Sequence, residues 1–134
     1  MTMNLQSGSL IFDVSGRDLL ITRDFSAAEL KERRQRIAAQ MEAGSKLLIA
    51  GAPPVPEDRQ VQDANFYYFC GLDIPHSYLL VEGQTARTTV FLPSRDVMDG
   101  LVEDKLGFED ADYIRVRLEL DMVEPSTSLA DALR

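Results

Sequence analysis

The sequence contains few of the residues on which most redox and metal sites depend. Its 134 residues include one cysteine, one histidine and no tryptophan. A single cysteine cannot form an intramolecular disulfide, which agrees with a reducing compartment. The eight glycines are scattered, so the chain has no phosphate-binding loop and no dinucleotide fingerprint.

Long apolar runs and positive charge are also scarce. No apolar stretch approaches the ~18 residues that span a bilayer, and residues 1–10 lack the layout of a signal peptide. We therefore expect a cytoplasmic location and no membrane partner. The net charge of -8 repels phosphate backbones, so we expect no nucleic-acid partner either.

The residues that are present are typical of one globular domain. Hydrophobic residues make up 45% of the chain and charged residues 27%, as in ordinary globular proteins. A chain of this length can bury roughly two thirds of its unfolded surface. One hydrophobic core is therefore expected.

An aromatic block lies near the middle of the chain. Phe66–Phe69 are four consecutive aromatic residues, followed by Cys70 and Gly71. Because the block is short and ends at a glycine, the pattern predicts a buried strand of a central sheet. Tyr67 would then share one face of that strand with Phe69.

A helix is predicted upstream, from about 27 to about 43. Ser26 and Glu29 have the spacing of a capping box, and Gly44 is placed to end the helix in a left-handed conformation. The helix also carries a basic cluster among its glutamates, which we interpret as a solvated face. The cluster comprises Lys31, Arg33, Arg34 and Arg36.

Short apolar runs predict the remaining strands. Residues 46–50 fit a central strand, and the prolines after them predict a loop over 51–62. Residues 78–82 and 88–92 flank a short polar segment, which favours an antiparallel hairpin.

The last third of the chain is predicted as helix, strand and helix. Residues 96–105 form a weak amphipathic pattern, residues 113–116 alternate like a strand, and a capped helix starts at 128. The whole order predicts an α/β fold with a mixed β-sheet flanked by helices. Residues 1–24 form an N-terminal extension, for which a β-hairpin and a loosely held tail are both open. We expect the natural protein to continue beyond Arg134.

The block Asn65–Gly71 resembles a signature in the N-terminal domain of Xaa-Pro aminopeptidases (aminopeptidase P), which prolidases and creatinases share. That signature reads aspartate, two aromatics, tyrosine, leucine or phenylalanine, threonine, glycine. Neighbouring segments match in order and spacing, among them 47–52 and 90–96. The resemblance covers roughly residues 25 to 115. It implies that residues 25–134 form a domain of this kind.

The resemblance implies a non-catalytic domain. In this family a separate C-terminal domain binds two divalent metal ions, usually manganese, through two aspartates, a histidine and two glutamates. No such ligand motif occurs in this chain, so we expect no catalytic residue and no metal ligand within it, and no activity of the chain alone. The partners implied are its own catalytic domain, further copies in a homodimer or higher homo-oligomer, and peptide substrate at the cleft edge.

The resemblance also implies candidate contacts to the cleft or to another subunit. By position these are Tyr67, Arg95 and Asp96. His76 is a further candidate on different grounds, because a loop histidine at the functional edge of the domain could contact substrate or a partner. For Tyr67, core packing is the competing interpretation. The chain departs from the family pattern at Asn65 and Cys70 and at Leu101, where relatives often carry a tryptophan.

A stand-alone interaction module with the same fold and no enzymatic activity is the main alternative. A cysteine enzyme would use Cys70 with His76, but we interpret Cys70 as a small buried residue that closes the hydrophobic segment. The acidic run at 109–112 lacks the spacing of a calcium loop and is interpreted as a solvated turn. Specificity among aminopeptidase P, prolidase and creatinase rests on residues outside this chain.

Overall fold

The computed structural model describes residues 21–22, 24–52, 62–98 and 106–134. Its helices and strands are α1 (Ala27–Ala39), β1 (Lys46–Ala50), α2 (Ala64–Cys70), β2 (Tyr78–Glu82), β3 (Thr88–Leu92), α3 (Ala111–Arg117), β4 (Met122–Pro125) and α4 (Leu129–Ala132). Short 3-10 helices span Arg95–Met98, Phe108–Asp110 and Ser126–Ser128. The predictions for most of the N-terminal extension, for most of the 51–62 loop and for residues 99–105 lie outside the described residues.

The strands form one mixed sheet in the order β1-β2-β3-β4. β1 and β3 each pair antiparallel with β2, and β4 pairs parallel with β3. The predicted fold class and the predicted β2–β3 hairpin are confirmed. The strand at 46–50 is also present, but it lies at an edge of this sheet, whereas the sequence predicted a central position.

One face of the sheet carries the hydrophobic core. Side chains alternate along a strand, so Leu79, Val81, Val90, Leu92 and Val123 share this face and cluster with buried residues of α1, α2 and α3. Leu48, Leu80 and Phe91 lie on the other face by the same alternation. Helices α1, α2 and α3 therefore pack on the core face. The Lys46 side chain, on the other face with Leu48, donates to the Ala132 carbonyl of α4 at 2.9 Å, which places α4 on that side.

The aromatic block is helix α2, so the predicted strand at Phe66–Phe69 is wrong. Asp63 caps the helix by accepting a hydrogen bond from the Phe66 amide at 3.0 Å, and Gly71 ends it with a φ of 72°. Phe66 and Cys70 are fully buried, whereas Tyr68 is 45% exposed. Burial thus repeats every four residues, as a helix requires, and Tyr68 lies on the exposed side of the helix.

The predicted strand at 113–116 is also wrong, because these residues belong to α3. Ile114 and Leu118 are fully buried at helical spacing, and Val116 is 67% exposed. The strand of this region is β4, which was not predicted. Its pairing with β3 is parallel and non-local, and only Val123 of its four residues is buried, so the local sequence carries little signal for it.

Helix α1 begins as predicted but ends early, at Ala39. The Ser26 hydroxyl accepts a hydrogen bond from the Glu29 amide at 3.1 Å, which confirms the cap. At the other end, the Gln84 amide donates to the Ala38 carbonyl at 2.9 Å, and its side chain donates to the carbonyls of residues 39 and 41. The β2–β3 turn therefore supplies partners for carbonyls that a longer helix would have bonded itself.

Candidate functional site

Two connecting segments meet at one end of the sheet. The register pairs Ala50 with Tyr78, Tyr78 with Phe91, and Leu92 with Pro125. The start of β2 therefore lies at the same end of the sheet as the ends of β1, β3 and β4. We call this end, with residues 72–78 and 93–96, the β3 carboxyl end. It brings three of the four sequence-predicted residues, His76, Arg95 and Asp96, to the same edge of the fold.

His76 is exposed on the segment that enters β2. Its backbone has a φ of 62°, which histidine tolerates better than most residues but which still needs support from its surroundings. That support comes from its amide, which donates to the Ala52 carbonyl at 3.0 Å. The ring lies 6.4 Å from the Tyr78 ring, edge to face. The imidazole is thus exposed on a held backbone.

Arg95 and Asp96 follow β3 and differ in their surroundings. The Arg95 guanidinium lies 3.7 Å from the Glu109 carboxylate and 3.6 Å from that of Asp110. The Arg95 amide also donates to Glu109 at 2.9 Å, and this hydrogen bond is the main cause of the lowered pKa of Glu109. Asp96 is exposed. Arg95 is therefore oriented by carboxylates, while Asp96 points its charge to solvent.

The acidic turn thus has a structural role that the sequence did not indicate. Its carboxylates hold Arg95, and Asp110 also accepts a hydrogen bond from the Gly107 amide at 3.2 Å. A Cβ atom at Gly107 would lie 2.8 Å from the Arg95 nitrogen and from the Pro93 oxygen. The glycine permits the close approach that seats this turn against the β3 carboxyl end.

Tyr67 contacts a different part of the molecule. Its hydroxyl donates to the Thr22 hydroxyl at 2.6 Å and lies 3.4 Å from an Asp24 carboxylate oxygen. Its ring is tilted against Phe25, with centroids 6.1 Å apart. Tyr67 therefore attaches the segment before α1 to α2, and these contacts do not join it to the other three candidates.

Asp73 adds a feature to the β3 carboxyl end that the sequence did not single out. One of its carboxylate oxygens is buried and has no hydrogen-bond partner among the residues that the structure describes. Burial raises the pKa of this carboxyl, because an unpaired charge is poorly solvated there. The segment that carries His76 thus also carries an unsatisfied acceptor.

Cys70 is not a nucleophile in this fold. The side chain is fully buried, and its thiol donates to the Phe66 carbonyl at 3.1 Å. Burial raises the pKa of the thiol to about 12, so the reactive thiolate is scarce at neutral pH. The cysteine-enzyme hypothesis is therefore wrong, and the interpretation of Cys70 as a small buried residue is the better one.

The interpretation of the basic cluster as a solvated face is wrong for two of its members. Arg34 is 1% exposed and donates to the Phe69 carbonyl at 2.9 Å and to the carbonyls of Leu118 and Glu119 at 3.3 Å. Three backbone acceptors at the ends of α2 and α3 thus share one buried cation. Burial lowers the pKa of Arg34.

Arg33 makes the same kind of attachment beside it. It donates to the Tyr68 carbonyl at 2.9 Å and to the Glu29 carboxylate at 2.8 Å. Its guanidinium carbon lies 4.0 Å from the Phe25 ring centroid and 4.2 Å from that of Tyr68, within cation-π range. The two consecutive arginines form an arginine clamp that joins α1 to the last carbonyls of α2.

The described residues do not form a metal centre. Among them, no three histidine, cysteine, aspartate or glutamate side chains come together as metal ligands would. The part of the chain that the structure describes therefore does not fit the metal pair of the resembled family. Within the same residues, no helix is long and apolar enough to cross a membrane.

These features define a class of protein: an α/β domain built on a mixed four-stranded sheet, with polar side chains gathered at one sheet end. The family that fits this class can be named. Residues 30–133 match the sequence model of the aminopeptidase P N-terminal domain, and the chain belongs to that family. The resemblance stated from the sequence is confirmed. The comparison with curated protein sequences yields no match.

Solved structures of Escherichia coli aminopeptidase P share the fold. A glutamate-to-alanine variant in complex with substrate has a TM-score of 0.67 at 26% identity, and the enzyme with the inhibitor Pro-Leu has the same values. A zinc-substituted form in complex with product has a TM-score of 0.68 at 24% identity. In each case the match covers 81% of this chain and 26% of the other. The chain thus spans about a quarter of the enzymes that it matches.

Proposed function

We propose that this chain is the non-catalytic N-terminal domain of a Xaa-Pro aminopeptidase-like metallopeptidase. The observation that supports the proposal best is the family match over residues 30–133, together with a structural match that covers only 26% of the E. coli enzyme. Peptide hydrolysis at an N-terminal residue before proline would be carried out by a catalytic region outside these residues. Two divalent metal ions, manganese by family resemblance, would be bound there.

In this proposal the β3 carboxyl end faces the catalytic region and borders the substrate cleft. Asp96, exposed and negative, suits a cationic group such as a peptide ammonium or a basic side chain. The carboxylates of Glu109 and Asp110 hold Arg95 in a fixed position. His76 provides an exposed imidazole on a rigid backbone. These groups would orient the peptide and exclude water at the cleft edge, and they would take no part in bond breaking. Tyr67 would act indirectly, by holding residues 22–24 against α2.

The proposal extends to organisation and location. Residues 25–134 would form the domain and residues 1–24 an extension of it. The domain would bind its own catalytic region, contribute to a homodimer or a higher homo-oligomer, and operate in the cytoplasm.

The experiment uses the polypeptide that joins this chain to its natural catalytic region. His76→Ala and Asp96→Asn should raise KM for Xaa-Pro peptides by roughly tenfold each, because a lost polar contact weakens binding by about 1–1.5 kcal/mol. Arg36→Ala is the matched control, since this exposed residue lies on α1, away from the sheet end. It should leave KM unchanged.

Two outcomes would contradict the proposal. If both sheet-end variants keep the KM and kcat of the parent, this end does not border the cleft. If the natural reading frame carries no catalytic region after residue 134, the alternative of a stand-alone interaction module replaces the enzyme assignment.

A further inference from the structure

The outer edge of β1 differs from the rest of the sheet. Among the described strands, only β2 pairs with β1. Lys46, Leu48 and Ala50 are exposed and Leu47 and Ile49 are half-buried, with Leu48 exposed to 41%. In the neighbouring β2, by contrast, the three central residues are buried. Within the described part of the chain, β1 therefore presents an apolar strand whose outer backbone groups have no strand partner.

The composition of β1 favours pairing with another strand. Its five residues include no proline and a single charge, and backbone groups at such an edge are ready to bond a further strand. The opposite edge of the described sheet is β4, where Pro125 lacks an amide hydrogen and Glu124 adds charge. Proline and charge are the devices that protect an edge from pairing, and β1 has only Lys46.

We propose that β1 strands of two copies of this chain pair antiparallel across a two-fold axis at Leu48. This register places Leu48 opposite Leu48 of the second copy, Leu47 opposite Ile49, and Lys46 opposite Ala50. Aliphatic side chains face one another, and the two lysines lie four residues apart, so no like charges are opposed. A strand that is complementary to itself in this way meets the requirement of a two-fold interface.

The contact would be weak in the isolated chain. Two five-residue strands bury far less than the ~1,200 Å² of a standard interface, so dimerisation should depend on concentration. The inference rests on the proposed function, because it assigns a location to the subunit contacts proposed for this domain. The cross-linking test below requires no peptidase activity, so its failure would leave the cleft role untouched.

Disulfide cross-linking tests the register directly. In Leu48→Cys the two introduced thiols would face each other, and mild oxidation should convert most of the protein at high concentration into a covalent dimer. Lys46→Cys is the matched control on the same face. Its thiols would be about 13 Å apart along the strand, too far for a disulfide, so it should form no covalent dimer. Native Cys70 is buried and does not compete.

Sedimentation equilibrium provides the second test. Leu48→Lys places like charges opposite each other and should weaken self-association at least about tenfold. Val116→Lys, on the exposed face of α3, should leave it unchanged. A parent chain that stays monomeric at its highest soluble concentration would overturn the proposal. So would equal cross-linking of both cysteine variants, or an unaltered dimer in Leu48→Lys.

Discussion

The arginine clamp and the β3 carboxyl end both contain charged groups, but they treat charge in opposite ways. In the clamp, Arg34 is 1% exposed and its guanidinium is bonded to three backbone carbonyls. At the sheet end, His76 and Asp96 are exposed on backbone segments that the fold holds in place. A buried charge with all partners supplied fixes helices relative to one another. An exposed charge on a fixed backbone remains available to a partner. Substitutions in the clamp should therefore change stability, and those at the sheet end should change binding.

The largest effect is expected at Arg34. Arg34→Met keeps the volume but leaves three carbonyls without a donor, and we expect a loss of roughly 3–5 kcal/mol in the free energy of unfolding. Urea denaturation followed by circular dichroism measures it. Arg36→Ala removes an exposed arginine whose contact to Glu32 is 3.9 Å long, and should change stability by less than about 0.5 kcal/mol. Similar losses in both variants would contradict the clamp.

Substitution of Gly71 should cause the next largest loss of stability, because this residue combines a left-handed backbone with close neighbours. A Cβ at Gly71, with φ +72°, would lie 2.5 Å from a Thr22 methyl and 2.9 Å from a Leu30 methyl. Gly71→Ala should therefore destabilise the chain by roughly 2–4 kcal/mol. Gly44 also has a positive φ, of +84°, but open space around it. Gly44→Ala isolates the backbone strain and should lose only about 1 kcal/mol in thermal denaturation.

The cap of α2 should have a smaller effect. Asp63→Ala removes the acceptor for the Phe66 amide, and the expected loss is about 1 kcal/mol. Asn65→Ala changes an exposed position of the same helix and should stay within about 0.5 kcal/mol. If Asp63→Ala proves neutral in chemical denaturation, the aromatic block is not held as a capped helix.

The smallest expected effect is a pH-dependent change in Tm when Asp73 is substituted. Burial raises the pKa of this carboxyl in the folded state, so the folded chain binds its proton more tightly than the unfolded chain does. The resulting destabilisation is absent below the unfolded pKa of about 3.9 and grows as pH rises through the folded pKa. Asp73→Asn should therefore raise Tm slightly at neutral pH and not at pH 3. An equal change at both values would assign the effect to packing.

The difference between local and distant contacts explains which elements could be predicted from the sequence. The β2–β3 hairpin and the Ser26 cap depend on neighbouring residues, and both were predicted correctly. The aromatic block was assigned by composition, although Asp63 before it and Gly71 after it are helix boundary signals. β4 could not be found, because its pairing with β3 joins segments 33 residues apart and only one of its residues is buried.

The clamp was missed for a related reason. Arg33 and Arg34 lie three and four residues after Leu30, which is buried. Arg34 also lies three residues before the partly buried Ile37 and four before the buried Ala38. Helical spacing therefore indicates that both arginines face the core. Because charged residues are usually exposed, the prediction instead assigned them to the solvated face. Their backbone acceptors, the carbonyls of α2 and α3, belong to distant segments and leave no mark in the local sequence.

The most direct test of the account is a hydrolysis assay on the pure 134-residue chain. The chain is incubated with Mn²⁺ and an Xaa-Pro peptide, and release of the N-terminal residue is compared with that of the polypeptide that includes the catalytic region. The account predicts metal-dependent turnover for the longer polypeptide and none above background for the chain alone. Metal-dependent turnover by the pure chain, abolished by a chelator, would contradict it.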